Sequence, residues 1–155
     1  MARETIFLVD DDITNLTIGI KSLEEHYSVL TLNSGERLLK MLNGAIQNNR
    51  SLPDLILLDV DMPEMDGFET ISLVKNINEL KDIPIIFLTA KTDNESEVTG
   101  LSLGAVDYIT KPFSVPLLLR RIKTHLQIVQ QKHELIEFNA RLQEMAEKLH
   151  TSGNA

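Results

Sequence analysis

The sequence predicts a doubly wound α/β fold: a five-stranded parallel sheet covered by helices and followed by an extended C-terminal helix. Three observations carry that prediction. Over the first 113 residues, short β-branched or Leu-rich runs alternate with longer segments of helical period. Two of the runs, Leu55 to Leu58 and Ile85 to Leu88, are nearly continuous in apolar residues, as strands buried on both faces must be. From Ser114 to about Leu149 no Gly interrupts, and the only Pro, Pro116, falls in the first turn, where a helix does not need its N–H.

In chain order, the strands are read at Thr5 to Val9, Ser28 to Thr31, Asp54 to Leu58, Pro84 to Leu88 and Val106 to Ile109. Helices fill the gaps, with starts at Thr14, Ser34 and Asp66 and a further one after Lys91, where Asp93 or Asn94 supplies the capping oxygen. Crossovers this short favour right-handed winding. The last helix, about 35 residues, would be some 50 Å long at about 1.5 Å per residue, more than such a domain needs. It carries two apolar stripes out of register with one another: Leu119, Ile122, Leu126 and Val129, suited to packing on the sheet, and Leu135, Phe138, Leu142, Met145 and Leu149, with heptad spacing. The chain is therefore divided into a domain over residues 1–126, a helical extension over 127–150 that is either coiled coil or linker, and a disordered tail over 151–155.

Composition narrows the chemistry. The 155 residues are 43% hydrophobic and 25% charged, ordinary values for a chain that closes one core. No apolar run approaches the roughly 20 residues that span a bilayer, and Met1 to Asp10 lacks the long apolar core of a secretory signal. The reading is a cytoplasmic protein with no membrane partner. With no cysteine, thiol catalysis, disulfides and thiolate metal sites are excluded, which leaves oxygen and nitrogen ligands for any metal. A net charge of −8 argues against binding nucleic acid through its phosphates.

In open parallel sheets the ligand site lies beyond the carboxyl ends of the strands. Here those ends bear Asp10, Asp11 and Asp12 after the first strand, Asp59 after the third, Thr89 and Ala90 after the fourth, and Lys111 and Pro112 after the fifth. Carboxylates a few ångströms apart repel by about 3 to 4 kcal/mol per pair at an effective dielectric near 20. A divalent cation relieves that repulsion. Hard oxygen ligands favour Mg²⁺, which keeps places for water and phosphate oxygens. An Asp carboxylate is also a competent nucleophile toward a phosphoryl group, provided the equatorial oxygens are neutralised. The Mg²⁺ ion, Lys111, the Thr89 hydroxyl and the Ala90 N–H would do that.

Over residues 4 to about 126 the sequence resembles the receiver domain of bacterial response regulators. The likeness rests on Phe7-Leu8-Val9-Asp10-Asp11-Asp12, Leu55-Ile56-Leu57-Leu58-Asp59-Val60-Asp61-Met62-Pro63, Met65-Asp66-Gly67, Ile85-Ile86-Phe87-Leu88-Thr89-Ala90, Gly104-Ala105 and Asp107-Tyr108-Ile109-Thr110-Lys111-Pro112-Phe113. It implies a flavodoxin-like (CheY-like) strand order of 2-1-3-4-5 and a two-component phosphorelay in which a sensor histidine kinase or phosphotransfer protein phosphorylates Asp59. It further implies that Asp10, Asp11 and Asp59, with the Asp61 backbone carbonyl, hold the metal. Lys111 contacts the phosphoryl group, Thr89 and Tyr108 act as switch residues, and the Lys111–Pro112 bond is cis. Asp61 and Lys91 occupy positions that tune phosphate lifetime in this family, and an ion pair between them would span the site mouth. The extended helix implies either a homodimer or a link to an effector domain. Asp59-Val60-Asp61 also resembles the nucleophile motif of haloacid-dehalogenase-type phosphohydrolases, but that motif sits on a first strand, and here Asp10 and Asp11 precede it and no large cap segment follows.

Overall fold

The computed structural model describes residues 3–153. Five strands, β1 (Thr5–Val9), β2 (Ser28–Leu32), β3 (Leu55–Leu58), β4 (Ile85–Thr89) and β5 (Asp107–Thr110), alternate with α1 (Ile13–Leu23), α2 (Gly35–Gln47), α3 (Gly67–Lys75), α4 (Asn94–Ser102) and α5 (Val115–Gly153). All pairings are parallel and the order is β2-β1-β3-β4-β5, as the resemblance implies. Three strands begin one residue later than read. Pro84 has no N–H to give, and its carbonyl accepts from Ile56 N at 3.0 Å. Asp54 lies just outside β3 and turns its carboxylate to Thr5 N, 2.7 Å away.

Helix starts follow from side-chain oxygens that reach free backbone donors. Ser34, Asp66 and Asp93 cap α2, α3 and α4 by accepting from Arg37, Glu69 and Ser96 N. The first helix begins at Ile13, one residue before the expected Thr14, because Asp12 is its cap and accepts from Thr14 N at 2.8 Å. The third acid of the triplet is thus used structurally.

The pleat sends alternate strand residues to opposite faces. Phe7, Val9, Ile56, Leu58, Ile85 and Phe87 pack under α2 and α3 with Leu38, Leu42, Ile71 and Val74. Ile6, Leu8, Leu55, Leu57, Ile86 and Leu88 pack under α1 and α5 with Leu16, Leu23, Leu118, Ile122 and Leu126. In α5 the buried stripe is Leu118, Ile122 and Leu126, and the expected Leu119 and Val129 are half-buried beside it.

Helix α5 is a single helix of 39 residues, near 58 Å at about 1.5 Å per residue. Its hold on the domain reaches past residue 126, the expected boundary. Val129, His133 and Ile136 join Pro84, Gly104 and Val106 around a cavity of about 290 Å³. There, Lys132 Nζ lies 3.9 Å from Asp82 Oδ1. From Glu137 onward every described residue is exposed. Residues 151–153, read as disordered tail, continue the helix, with Thr151 Oγ1 donating to Glu147 O at 2.8 Å; residues 154 and 155 lie outside the described residues.

Candidate functional site

Strand ends β1, β3, β4 and β5 converge on one rim. Asp10 and Asp59 are 3% and 7% exposed and Thr89 is fully buried, so two carboxylates and a hydroxyl share a nearly dry space. Asp11 faces solvent above them. One carboxylate oxygen from each of Asp10, Asp11 and Asp59 lies within 4.8 Å of the others, the set expected from sequence. The chemistry of this donor set, hard oxygens with two of three carboxylates buried, fits a small divalent cation.

Each carboxylate is oriented by its own turn. Asp10 accepts from Asp12 N at 2.9 Å, and Asp59 from Asp61 N at 3.4 Å. Gly67 makes the second turn possible, since a Cβ there would sit 2.8 Å from Val60 Cα and closer still to the Asp59 carbonyl. Lys111 is held by backbone through Lys111 N to Thr89 O at 2.8 Å, and the Lys111–Pro112 bond is cis, as the resemblance implies. Its Nζ donates to Asp10 Oδ2 at 2.6 Å, so this cation is committed to one of the acids.

Electrostatics set Asp59 apart. Burial pushes its carboxyl up to about 6; the Thr89 hydroxyl hydrogen bond pulls it down, the neighbouring Asp10 charge raises it, and Lys111 and the Asp61 N–H lower it. Above that pH Asp59 is a charged, poorly solvated carboxylate. Ala90 is exposed beside Thr89 and lines, with Asp10 and Lys111, a crevice of about 480 Å³ against α1.

Tyr108 faces the core. It is buried against Phe87, ring centroids 5.9 Å apart, and its hydroxyl donates to Lys91 O at 2.8 Å. Burial, followed by the charge of Asp93, pushes this phenol up to about 12, so it remains a donor. Lys91 also extends its Nζ to Asp61 Oδ1 at 3.6 Å, the anticipated ion pair. With side chains 41% and 64% exposed, that pair contributes about 0 to 1 kcal/mol.

Two features escaped the sequence reading. Asp107, next to Tyr108, accepts from Arg121 at 2.7 Å and lies 3.1 Å from His125 Nε2, which ties β5 to α5. Arg121 and His125, four apart on one helix face, are the only trace of this in the sequence, and nothing local names their partner. Lys75, lowered by burial, donates to Lys81 O and Ile83 O at 2.9 Å each and fixes the α3–β4 loop.

Comparison with known proteins places the same elements in context. A family model described as the response regulator receiver domain matches residues 6–123. A probable cyclic di-GMP phosphodiesterase of Vibrio cholerae is 41% identical over 154 residues, covering 99% of this chain and 33% of that protein. The alkaline phosphatase synthesis transcriptional regulatory protein PhoP of Bacillus subtilis is 40% identical over 127 residues, 81% of this chain and 49% of that protein. The chain thus spans between a third and about half the length of these curated relatives. Among solved structures, the chemotaxis protein CheY4 of Vibrio cholerae superposes with a TM-score of 0.69 at 31% identity, covering 79% of this chain and 98% of that one. The BeF3-activated DrrB receiver domain gives 0.68 at 32% identity, covering 81% and 98%. Among the described residues no helix is long and apolar enough to cross a membrane.

Proposed function

The chain belongs to the response regulator receiver family, and on that premise we propose that it is a phosphoacceptor switch in which Asp59 takes a phosphoryl group from a phosphohistidine on a sensor kinase or phosphotransfer protein. The observation that carries this reading is the pair of buried carboxylates, Asp10 and Asp59, gathered with Asp11 within 4.8 Å beside Lys111. Asp10, Asp11 and Asp59, with the Asp61 carbonyl, would hold Mg²⁺. When bound, the ion supplies charge neutralisation for the phosphoryl oxygens.

The residues divide the remaining work. Asp59, ionised above about pH 6, provides the attacking oxygen: its bond to phosphorus forms as the P–N bond of the donor breaks, and the imidazole leaves with the electron pair and takes up a proton. Lys111 and the N–H of Ala90 meet the phosphoryl oxygens, and Thr89 turns its hydroxyl from the carboxylate to the phosphate. Tyr108, already seated against Phe87 and bonded to Lys91 O, holds the inward position of the switch. Exposed Ile13 and Ile18 on α1, beside the rim, offer the donor protein an apolar footing. A cytoplasmic location follows from such a partner. The chain itself turns over no substrate beyond its own phosphorylation and dephosphorylation, and α5 leads either to an effector domain or to a second copy.

A small phosphodonor with Mg²⁺ tests this by intact mass. One phosphoryl group per chain is expected on the native protein and none on Asp59→Asn or in chelator. A native chain unlabelled in the presence of Mg²⁺ would overturn the proposal.

A further inference from the structure

The two edges of the sheet differ. At β5, Asp107 is bonded to Arg121 and His125 of α5. The other edge is β2, which has no charged residue and no Pro, the features that ordinarily blunt an edge strand. In its ladder with β1, Ser28 N donates to Glu4 O and Leu32 O accepts from Asp10 N. Backbone groups alternate sides along a strand, so Val29 and Thr31 turn their N–H and C=O to the open edge. A hollow flanks this edge on each face of the sheet. On the α2 face, one of about 550 Å³ is floored by Phe7, Leu32 and Met41 and bordered by Arg37, Lys40 and Arg50. None of these three cations is in an ion pair among the described residues, although the chain carries a net charge of −8. On the α1 face, one of about 380 Å³ lies between Leu16, Thr17 and Ile20 of α1 and Thr31 of β2. Arg37 lines both hollows, whereas Asp11 lines only this second one and disfavours another acid there.

We propose that β2 accepts an extended peptide of a partner protein as a sixth strand, its side chains alternating between acidic on the α2 face and apolar on the α1 face. A strand laid about 4.8 Å beyond β2 takes main-chain hydrogen bonds from Val29 and Thr31 and sends alternate side chains to the two hollows. Its carboxylates meet Arg37, Lys40 and Arg50, and its apolar side chains cover Leu16 and Ile20. Charge and backbone together decide the class of occupant. A basic strand would face three cations, and an anionic lipid head would meet those cations but leave the edge groups of Val29 and Thr31 unused. Of the residues involved only Asp11 belongs to the rim, so strand addition needs no phosphoryl group.

A capped, fluorescein-labelled hexapeptide of alternating glutamate and valine, titrated with the full chain and followed by anisotropy, tests this. Saturable binding with a dissociation constant below about 1 mM is expected. A block peptide of the same composition, three glutamates followed by three valines, should bind at least about tenfold more weakly, because it cannot serve both faces. Thr31→Pro removes one edge N–H at a position where an edge strand tolerates Pro, and should also weaken binding at least about tenfold. Lys40→Glu should weaken it at least about fivefold, and added salt should weaken binding to the native chain. Circular dichroism and urea unfolding check each variant; should Thr31→Pro not fold, Lys40→Glu and the block peptide still decide. Binding that survives in folded Thr31→Pro, or a block peptide that binds equally well, would reduce the site to a simple anion contact and overturn strand addition. So would the absence of binding at about 1 mM, or a native dimer in sedimentation that Thr31→Pro abolishes, since a second copy would then occupy the edge. None of these results depends on the labelling of Asp59.

Discussion

Asp59 and Leu142 are each out of place, in opposite senses. The rim buries charge where water is scarce: Asp10 and Asp59 sit together with one ammonium, Lys111, committed to Asp10. The extension does the reverse and leaves apolar side chains open to water, Leu142 among them at 48% exposure. Folding alone repays neither arrangement. A site that is energetically incomplete within its own chain is where a ligand or a partner gains most, and the two regions call for different completions. The rim, dense in negative charge, calls for a cation, whereas the stripe on the extension is an exposed apolar face. The link between them is short. Tyr108 bonds to Lys91 O near the rim, and the adjoining Asp107 holds Arg121 and His125 of the same helix that later bears the stripe.

The largest contrast should appear in stability. Ile122→Ala, which empties a fully buried site between α5 and the sheet, is expected to cost about 2 to 4 kcal/mol in urea unfolding of the domain, whereas Leu142→Ala should change it by less than about 0.5 kcal/mol. A comparable loss at Leu142 would mean that the extension packs on its own receiver.

Next in size is Lys111→Met. It strips Asp10 of its partner and leaves two buried carboxylates with no local cation, for an expected loss of about 2 to 4 kcal/mol in chelator. Mg²⁺ should return part of that loss. A variant indifferent to Mg²⁺ would separate the metal from this cluster of acids.

Smaller effects mark the path from rim to helix. Tyr108→Phe removes the bond to Lys91 O and should cost about 0.5 to 1.5 kcal/mol. Lys91→Ala removes the exposed pair with Asp61 and should cost less than about 1 kcal/mol, less still in high salt. If Lys91→Ala proved the more damaging, the pair at the mouth would outrank the phenol as a structural tie.

The sequence made much of this legible, for reasons that differ by region. Strand ends, the caps Ser34, Asp66 and Asp93 and the acids at the rim are local signals, carried by residue type and spacing within a few positions. The triplet at Asp10, Asp11 and Asp12 was harder, because one residue type serves two purposes there, two acids for the rim and one for the cap of α1. On α5, Leu118 and Leu119 are adjacent and equally apolar, and only the angle at which the helix meets the sheet decides that Leu118 is the buried one. The Asp107, Arg121 and His125 cluster and the carbonyl partner of Tyr108 are tertiary contacts. They depend on where α5 and the β4–α4 loop come to rest, which no local pattern encodes.

The central claim is that the rim is held at a cost in stability which a divalent cation offsets, and a comparison of native chain and Asp59→Asn by urea unfolding tests it most directly. A carboxyl raised from 3.8 to about 6 takes up a proton on folding between those values, so the native chain gains stability as pH falls through that window and bears the full cost above it. In chelator at pH 8, Asp59→Asn should therefore be the more stable protein by about 1 to 2 kcal/mol, after allowance for solvent screening at the rim, with the gap closing toward pH 4. Millimolar Mg²⁺ at pH 8 should stabilise the native chain and narrow or reverse the order, while leaving Asp59→Asn nearly unchanged. An Asp59→Asn protein less stable than native in chelator, or a native chain that does not respond to Mg²⁺, would contradict the account.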